Sequence, residues 1–190
     1  MPVETLRRSI ATRSLSQDFV LAAECAAAAE FAAIEVWEAD IRHLGGAKFL
    51  RRLLADLGLR CAQYQLVRDV DGVLGGLFDK SLDHARRLLD DAAEIEADSL
   101  LVCSSIEDAA VGDFALSAEQ LGRVVEHAAA LNVRIAYEAL SFARVNRSLL
   151  DAWRLIEHIN HPSLGITLDS THITLMHDDL RQIGAIPADK

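Results

Sequence analysis

Six times along this chain a short apolar run rich in β-branched residues gives way to a longer stretch of helical periodicity. That alternation restricts the fold more than any other feature of the sequence. The runs fall at residues 9–12 (SIAT), 32–37 (AAIEVW), 61–67 (CAQYQLV), 99–104 (SLLVCS), 133–138 (VRIAYE) and 164–169 (LGITLD). Between them, residues 17–31, 48–57, 81–96 and 148–159 read as helices, and Gly58 suits a helix C-cap. Another helix is expected to start at Ser117, where Ser117-Ala118-Glu119-Gln120 has the form of a capping box. Strand followed by helix, repeated at intervals of roughly 25 to 40 residues, is the signature of a parallel sheet built from βαβ units.

Two α/β architectures satisfy that pattern, an open doubly wound sheet and a closed (β/α)8 barrel. A dinucleotide-binding open sheet wants glycines in its first βα turn. Here that turn is Arg13-Ser14-Leu15-Ser16. A barrel also accounts for polar residues at the ends of the runs, because barrel sites sit at the C-terminal face. A complete barrel takes about 250 residues. The 190 present therefore predict an incomplete (β/α)8 TIM barrel of six βα units, forming a single domain over residues 1–190 with its C-terminal units missing. Unpaired edges in such a barrel would favour association, so a homo-oligomer is expected.

The net charge of -10 disfavours nucleic acid as a partner and leaves a small-molecule substrate as the better expectation. No apolar run approaches the roughly 20 residues needed to cross a bilayer, so no membrane partner is expected. Met1-Pro2-Val3-Glu4 leads into no apolar segment of the secretory kind, which makes the cytoplasm the expected compartment. Cys25, Cys61 and Cys103 form no CxxC pair or zinc spacing and read as buried, reduced thiols.

The chemistry-bearing residues gather at the ends of the runs. They are Glu35 and Glu38, Gln65 and Arg68, Cys103-Ser104-Ser105, Tyr137-Glu138, and Asp169-Ser170-Thr171-His172. Glu138 and Asp169 each close a deeply apolar run. A carboxylate there is costly unless it is paired or bound to a metal. Two carboxylates at matched ends of adjacent strands repel, and a divalent cation between them removes that cost. Oxygen ligands favour Mg2+ or Mn2+. The alternative is that each carboxylate pairs with a nearby arginine, Arg68 or Arg134. His172, in the loop after the sixth run, is the candidate general acid/base. Arg68 is positioned to clamp a substrate carboxylate, or else to pair with Asp69, Asp71 or Glu35. Glu35 is the other candidate for substrate contact. His43, His84, His127, His158, His161 and His177 read as loop or helix-surface residues.

Together these residues resemble a known family. The segments RRSIATRS (7–14), AAIEVWEAD (32–40), RDVDG (68–72), LVCS (101–104), RIAYEAL (134–140) and HPSLGITLDSTHI (161–173) are similar to bacterial 3-dehydroshikimate dehydratases. More broadly, they resemble the sugar-phosphate isomerase/epimerase group of xylose-isomerase-like TIM barrels. The resemblance implies a lyase that dehydrates 3-dehydroshikimate to protocatechuate with a divalent metal (Mg2+, Mn2+ or Co2+). It assigns Glu138 and Asp169 to the metal and His172 to catalysis, with further ligands on a seventh and an eighth strand. Two departures stand out. Leu140 occupies a position where some dehydratases carry a histidine. Arg144 is followed directly by Val145-Asn146, where the nearest subgroup places a histidine after the arginine. Sugar isomerase or epimerase chemistry, and an inactive fragment, are the alternatives.

Overall fold

The computed structural model of the chain describes residues 8–190. The expectation drawn from Met1-Pro2-Val3-Glu4 lies outside the described residues. The alternation is realised in order: β1 (Ser9–Ala11), α1 (Phe19–Ala28), β2 (Ala33–Trp37), α2 (Glu38–His43), α3 (Ala47–Asp56), β3 (Arg60–Val67), α4 (Leu77–Glu94), β4 (Leu100–Cys103), α5 (Phe114–Ala130), β5 (Ile135–Glu138), α6 (Leu149–Ile159), β6 (Leu164–Thr167) and α7 (Ser170–Met176). Among the described residues no helix is long and apolar enough to cross a membrane. The chain forms two compact units, Met1–Gln65 with Asp91–Ser99, and Leu66–Asp90 with Leu100–Lys190.

In the first unit β1 pairs parallel with β2, and β2 with β3. Successive strand residues face opposite ways. Ile34 and Val36 are wholly buried on one face, while Glu35 and Trp37 are half-buried on the other. The Ala-rich stretch becomes α1, which buries Ala22, Ala23 and Ala26. Asp18 caps it, accepting the Leu21 N–H at 3.1 Å. The sequence signals gave no warning of α2. It begins because the Trp37 N–H donates to Asp40 Oδ2 at 2.8 Å.

In the second unit β4 pairs parallel with β5 and β5 with β6. Cys103 lies opposite Glu138, and Glu138 opposite Thr167. Leu100, Val102, Ile135, Tyr137 and Leu164 are wholly buried on one face. α5 and α6 contribute Leu121, Val124, Leu155 and Ile156 to the core. Ser148 caps α6 reciprocally. Its Oγ accepts the Asp151 N–H at 3.1 Å, and Asp151 Oδ2 accepts the Ser148 N–H at 3.2 Å. Beside β6, the Ile166 N–H donates to the Lys190 carbonyl at 2.8 Å. The Arg134 guanidinium donates to the Asp189 carbonyl at 2.7 Å, so Arg134 is engaged with backbone rather than with a strand-end carboxylate.

Three local expectations change. The N-cap of α5 is Asp113, one turn before Ser117, and its carboxylate accepts the Leu116 N–H at 3.0 Å. Ser117 is instead buried inside the helix. Cys25 is exposed, whereas Cys61 and Cys103 are buried as expected. His172 lies in the first turn of α7 rather than in a loop.

The position of Ser117 has a counterpart at Gly72. Gly72 has φ +66°, and a Cβ built on it would sit 2.7 Å from Ser117 Oγ and 2.8 Å from the Val111 carbonyl. Positive φ and close approach thus both demand glycine. Gly72→Ala is expected to cost about 2 kcal/mol of stability, read as a lowered urea midpoint. Gly184→Ala, where an added Cβ meets nothing within 4 Å, is expected to leave the midpoint near that of the wild type.

Candidate active site

The register of β5 and β6 builds the site. Glu138 ends β5 opposite Thr167, and Asp169 follows two residues later with the same facing. The ligand atoms of Glu138, Asp169 and His172 all lie within 4.8 Å of one another. Glu138 is only 8 % exposed, and Asp169 and His172 are half-buried. Octahedral donors about 2.1 Å from a cation sit about 3 to 4.2 Å apart. Atoms that close can be drawn onto one ion by small side-chain movements. The two carboxylates suit a hard divalent cation, with the imidazole of His172 beside them.

Each member is held locally. Asp169 is the N-cap of α7, and its Oδ1 accepts the N–H groups of Thr171 at 2.6 Å and His172 at 3.1 Å. That cap turns His172 back toward the strand ends. Beyond β5, the Ser141 N–H donates to His172 Nδ1 at 3.4 Å, and Ser141 Oγ lies 3.0 Å from the same nitrogen. Phe142 meets the ring edge-on, with centroids 5.6 Å apart. Arg147 in turn donates to the Ser141 carbonyl at 2.9 and 2.6 Å. Nδ1 is thereby anchored, which leaves Nε2 as the nitrogen for chemistry. Cys103 Sγ donates to Glu138 Oε2 at 3.3 Å, and burial holds the thiol protonated, with its pKa pushed far up.

The two candidates for substrate contact are placed differently. Arg68 is exposed and lines a cavity of about 280 Å3 with Leu66, Asp69, Lys80, Ser81 and His84. Of its three alternative partners, Asp69 accepts the N–H groups of Ile106 at 2.9 Å and Glu107 at 3.2 Å. Asp71 is buried among hydroxyl and amide donors. Glu35 belongs to the other unit and accepts a hydrogen bond from Gln65 Nε2. Burial raises the Glu35 pKa, partly offset by that bond.

Sequence patterns did not reveal the hub around Asp71. Its Oδ1 accepts the Ser105 N–H at 2.8 Å and the Ser105 hydroxyl at 2.5 Å. Its Oδ2 accepts the Tyr137 hydroxyl at 2.7 Å and Asn146 Nδ2 at 2.6 Å. Burial pushes the Asp71 carboxyl up to about 6, against the lowering effect of these donors. Its one sequence signal was an aspartate beside a glycine in RDVDG, which also reads as an ordinary turn.

The chain is similar in sequence and fold to known proteins. The family model described as xylose isomerase-like TIM barrel matches residues 23–190. A 3-dehydroshikimate dehydratase of Pseudomonas putida is 37% identical over 186 residues, which is 97% of this chain and 29% of that protein. The chain thus spans under a third of that relative's length. The solved structure of a xylose isomerase-like TIM barrel/4-hydroxyphenylpyruvate dioxygenase fusion protein superposes with a TM-score of 0.92 at 37% identity, covering 97% of this chain and 30% of that one. The IolI protein, solved with a bound zinc atom, shares the fold at a TM-score of 0.86 and 13% identity, over 97% of this chain and 70% of that one.

The raised pKa of Asp71 has a consequence for stability. The folded state holds a proton there that the unfolded state has lost. Asp71 therefore contributes a loss of stability as pH rises from about 4 through about 6. Asp71→Asn, which cannot ionise, is expected to gain stability relative to the wild type between about pH 4 and pH 7. Urea unfolding at the two ends of that range measures the difference. A gap that stays constant with pH rules out the assignment.

Proposed function

Because this chain belongs to the xylose isomerase-like TIM-barrel family, we propose that Glu138 and Asp169 bind one divalent cation in a lyase that dehydrates 3-dehydroshikimate to protocatechuate. The convergence of those two carboxylates with His172 carries the proposal. The substrate class is suggested by the Pseudomonas putida relative, whose identity extends over 97% of the chain. Mg2+, Mn2+ and Co2+ are the candidate ions.

When bound, such a cation supplies a Lewis acid for the ketone oxygen of the substrate. The protein's own groups do the rest. Glu138 and Asp169 hold the cation and set its place at the strand ends. His172, anchored through Nδ1 by Ser141, moves protons at Nε2. A proton leaves the carbon beside the ketone, and the departing hydroxyl is protonated to water. Enolisation of the remaining ketone then yields the aromatic ring. Arg68, at the mouth of its cavity, offers a bidentate partner for the substrate carboxylate.

A test joins this chain in frame to the remaining segment of the Pseudomonas putida relative. The product is expected to convert 3-dehydroshikimate with Mn2+, giving the aromatic ultraviolet band of protocatechuate. Glu138→Gln and Asp169→Asn should each weaken Mn2+ binding in calorimetry and abolish turnover. His172→Ala should slow turnover by about 100-fold or more with Mn2+ affinity nearly unchanged. Equal loss of Mn2+ in all three variants would make His172 a ligand. A folded, Mn2+-binding protein that produces no aromatic band rejects the dehydratase assignment, and sugar epimerisation is then the activity to assay.

A further inference from the structure

The chemistry above leaves one fully buried carboxylate without a task. Asp71 is 0 % exposed and lies in the segment after β3. Its four donors come from three separate places: Ser105 just past β4, Tyr137 in β5, and Asn146 in the segment between β5 and α6. Ser105 Oγ also lies 2.7 Å from the Asp71 carbonyl oxygen. Taking a carboxylate out of water to join loops is costly, and an apolar plug of similar volume often stabilises as much or more. The location of the hub offers a reason for retaining it.

Tyr137 is the residue before Glu138. Its side chain faces the covered side of the strand while that of Glu138 faces the cluster. The Tyr137 hydroxyl therefore ties the last turn of the β5 backbone to Asp71 from behind. From the side, the Ser104 N–H donates to the Glu138 carbonyl at 2.9 Å, and Ser104 Oγ accepts the Leu140 N–H at 2.9 Å. Ser104 is itself the neighbour of Ser105, which is fixed to the same aspartate. The strand end that presents Glu138 is thus gripped on two sides, and both grips lead to one buried carboxylate. Productive ligand geometry tolerates displacements of only about 0.5 Å, so slack at this strand end would be felt at the cation.

We propose that Asp71 is a positioning residue for Glu138, acting through the Tyr137 hydroxyl and the Ser104–Ser105 backbone to set where β5 presents its carboxylate to a divalent cation. The inference rests on the assignment of Glu138 as a cation ligand.

The probe is Mn2+ alone, titrated into the purified chain and followed by the electron paramagnetic resonance signal of the free ion. Tyr137→Phe removes one hydroxyl and no packing volume. It is expected to keep the far-ultraviolet circular dichroism of the wild type and to lower Mn2+ affinity by about 10-fold. The visible absorption of the Co2+-loaded chain should change in shape as well. Asp71→Asn, whose amide nitrogen cannot accept, should move both readouts the same way by a smaller amount. Tyr64→Phe is the control. Its hydroxyl donates to Asp91 Oδ2 at 3.3 Å in the other unit, and its loss should leave Mn2+ binding unchanged. Wild-type binding with unaltered affinity and Co2+ spectrum in Tyr137→Phe and Asp71→Asn overturns the positioning role alone. So does an equal loss in Tyr64→Phe. Absence of Mn2+ binding by the wild type overturns the cation assignment, and this inference with it.

Discussion

The parallel register of β5 on β6 is the constraint on which the candidate site depends. It sets Glu138 opposite Thr167, and the period of two along a strand gives Asp169 the same facing. A slip of one residue would turn Glu138 onto the face that Tyr137 and Ile135 now occupy and carry it away from Asp169. The remaining placements follow from that one. Asp169 caps α7, the cap puts His172 in the first turn, and the segment after β5 brings Ser141 and Phe142 against the ring.

The second unit manages its buried charges in two ways. Asp71 is satisfied by hydroxyl, amide and backbone N–H donors, and its pKa stays raised because burial outweighs them. Glu138 and Asp169 face one another with the protonated thiol of Cys103 beside Glu138. The proposed cation would offset the repulsion between the two converging carboxylates. Exposed pairs such as Arg60 with Asp98 and Arg86 with Asp83 lie at the surface, where ion pairs contribute little.

Most of the regular elements were legible because their signals are periodic and long. The helix over 148–159 appears as Leu149–Ile159 with Ser148 as its cap, and the strand over 133–138 appears as Ile135–Glu138. The failures have local causes. α2 and α7 have six and seven residues, too few for hydrophobic periodicity to register; Asp40, in the first turn of α2, accepts the Trp37 N–H, and Asp169 caps α7. Ser117 had the right residues around it for a cap, but Asp113 stands one turn earlier and took the role. Cys25 lies in a run of alanines whose opposite side is the buried one.

The sequence by itself determined the α/β alternation, the strands and the residues that end them, because apolar periodicity and turn residues act over a few neighbours along the chain. It also made Glu138 and Asp169 candidates, since a carboxylate closing an apolar run is costly wherever the strand goes, and His172 a candidate beside them. Which groups meet across distance was decided only by the tertiary structure. Ser141 as the partner of His172, and the convergence of Ser105, Tyr137 and Asn146 on Asp71, join residues between 31 and 75 positions apart. A hydrogen bond between such residues depends on angles and distances of a few tenths of an ångström. Those arise only when the strands have paired and the loops between them have closed.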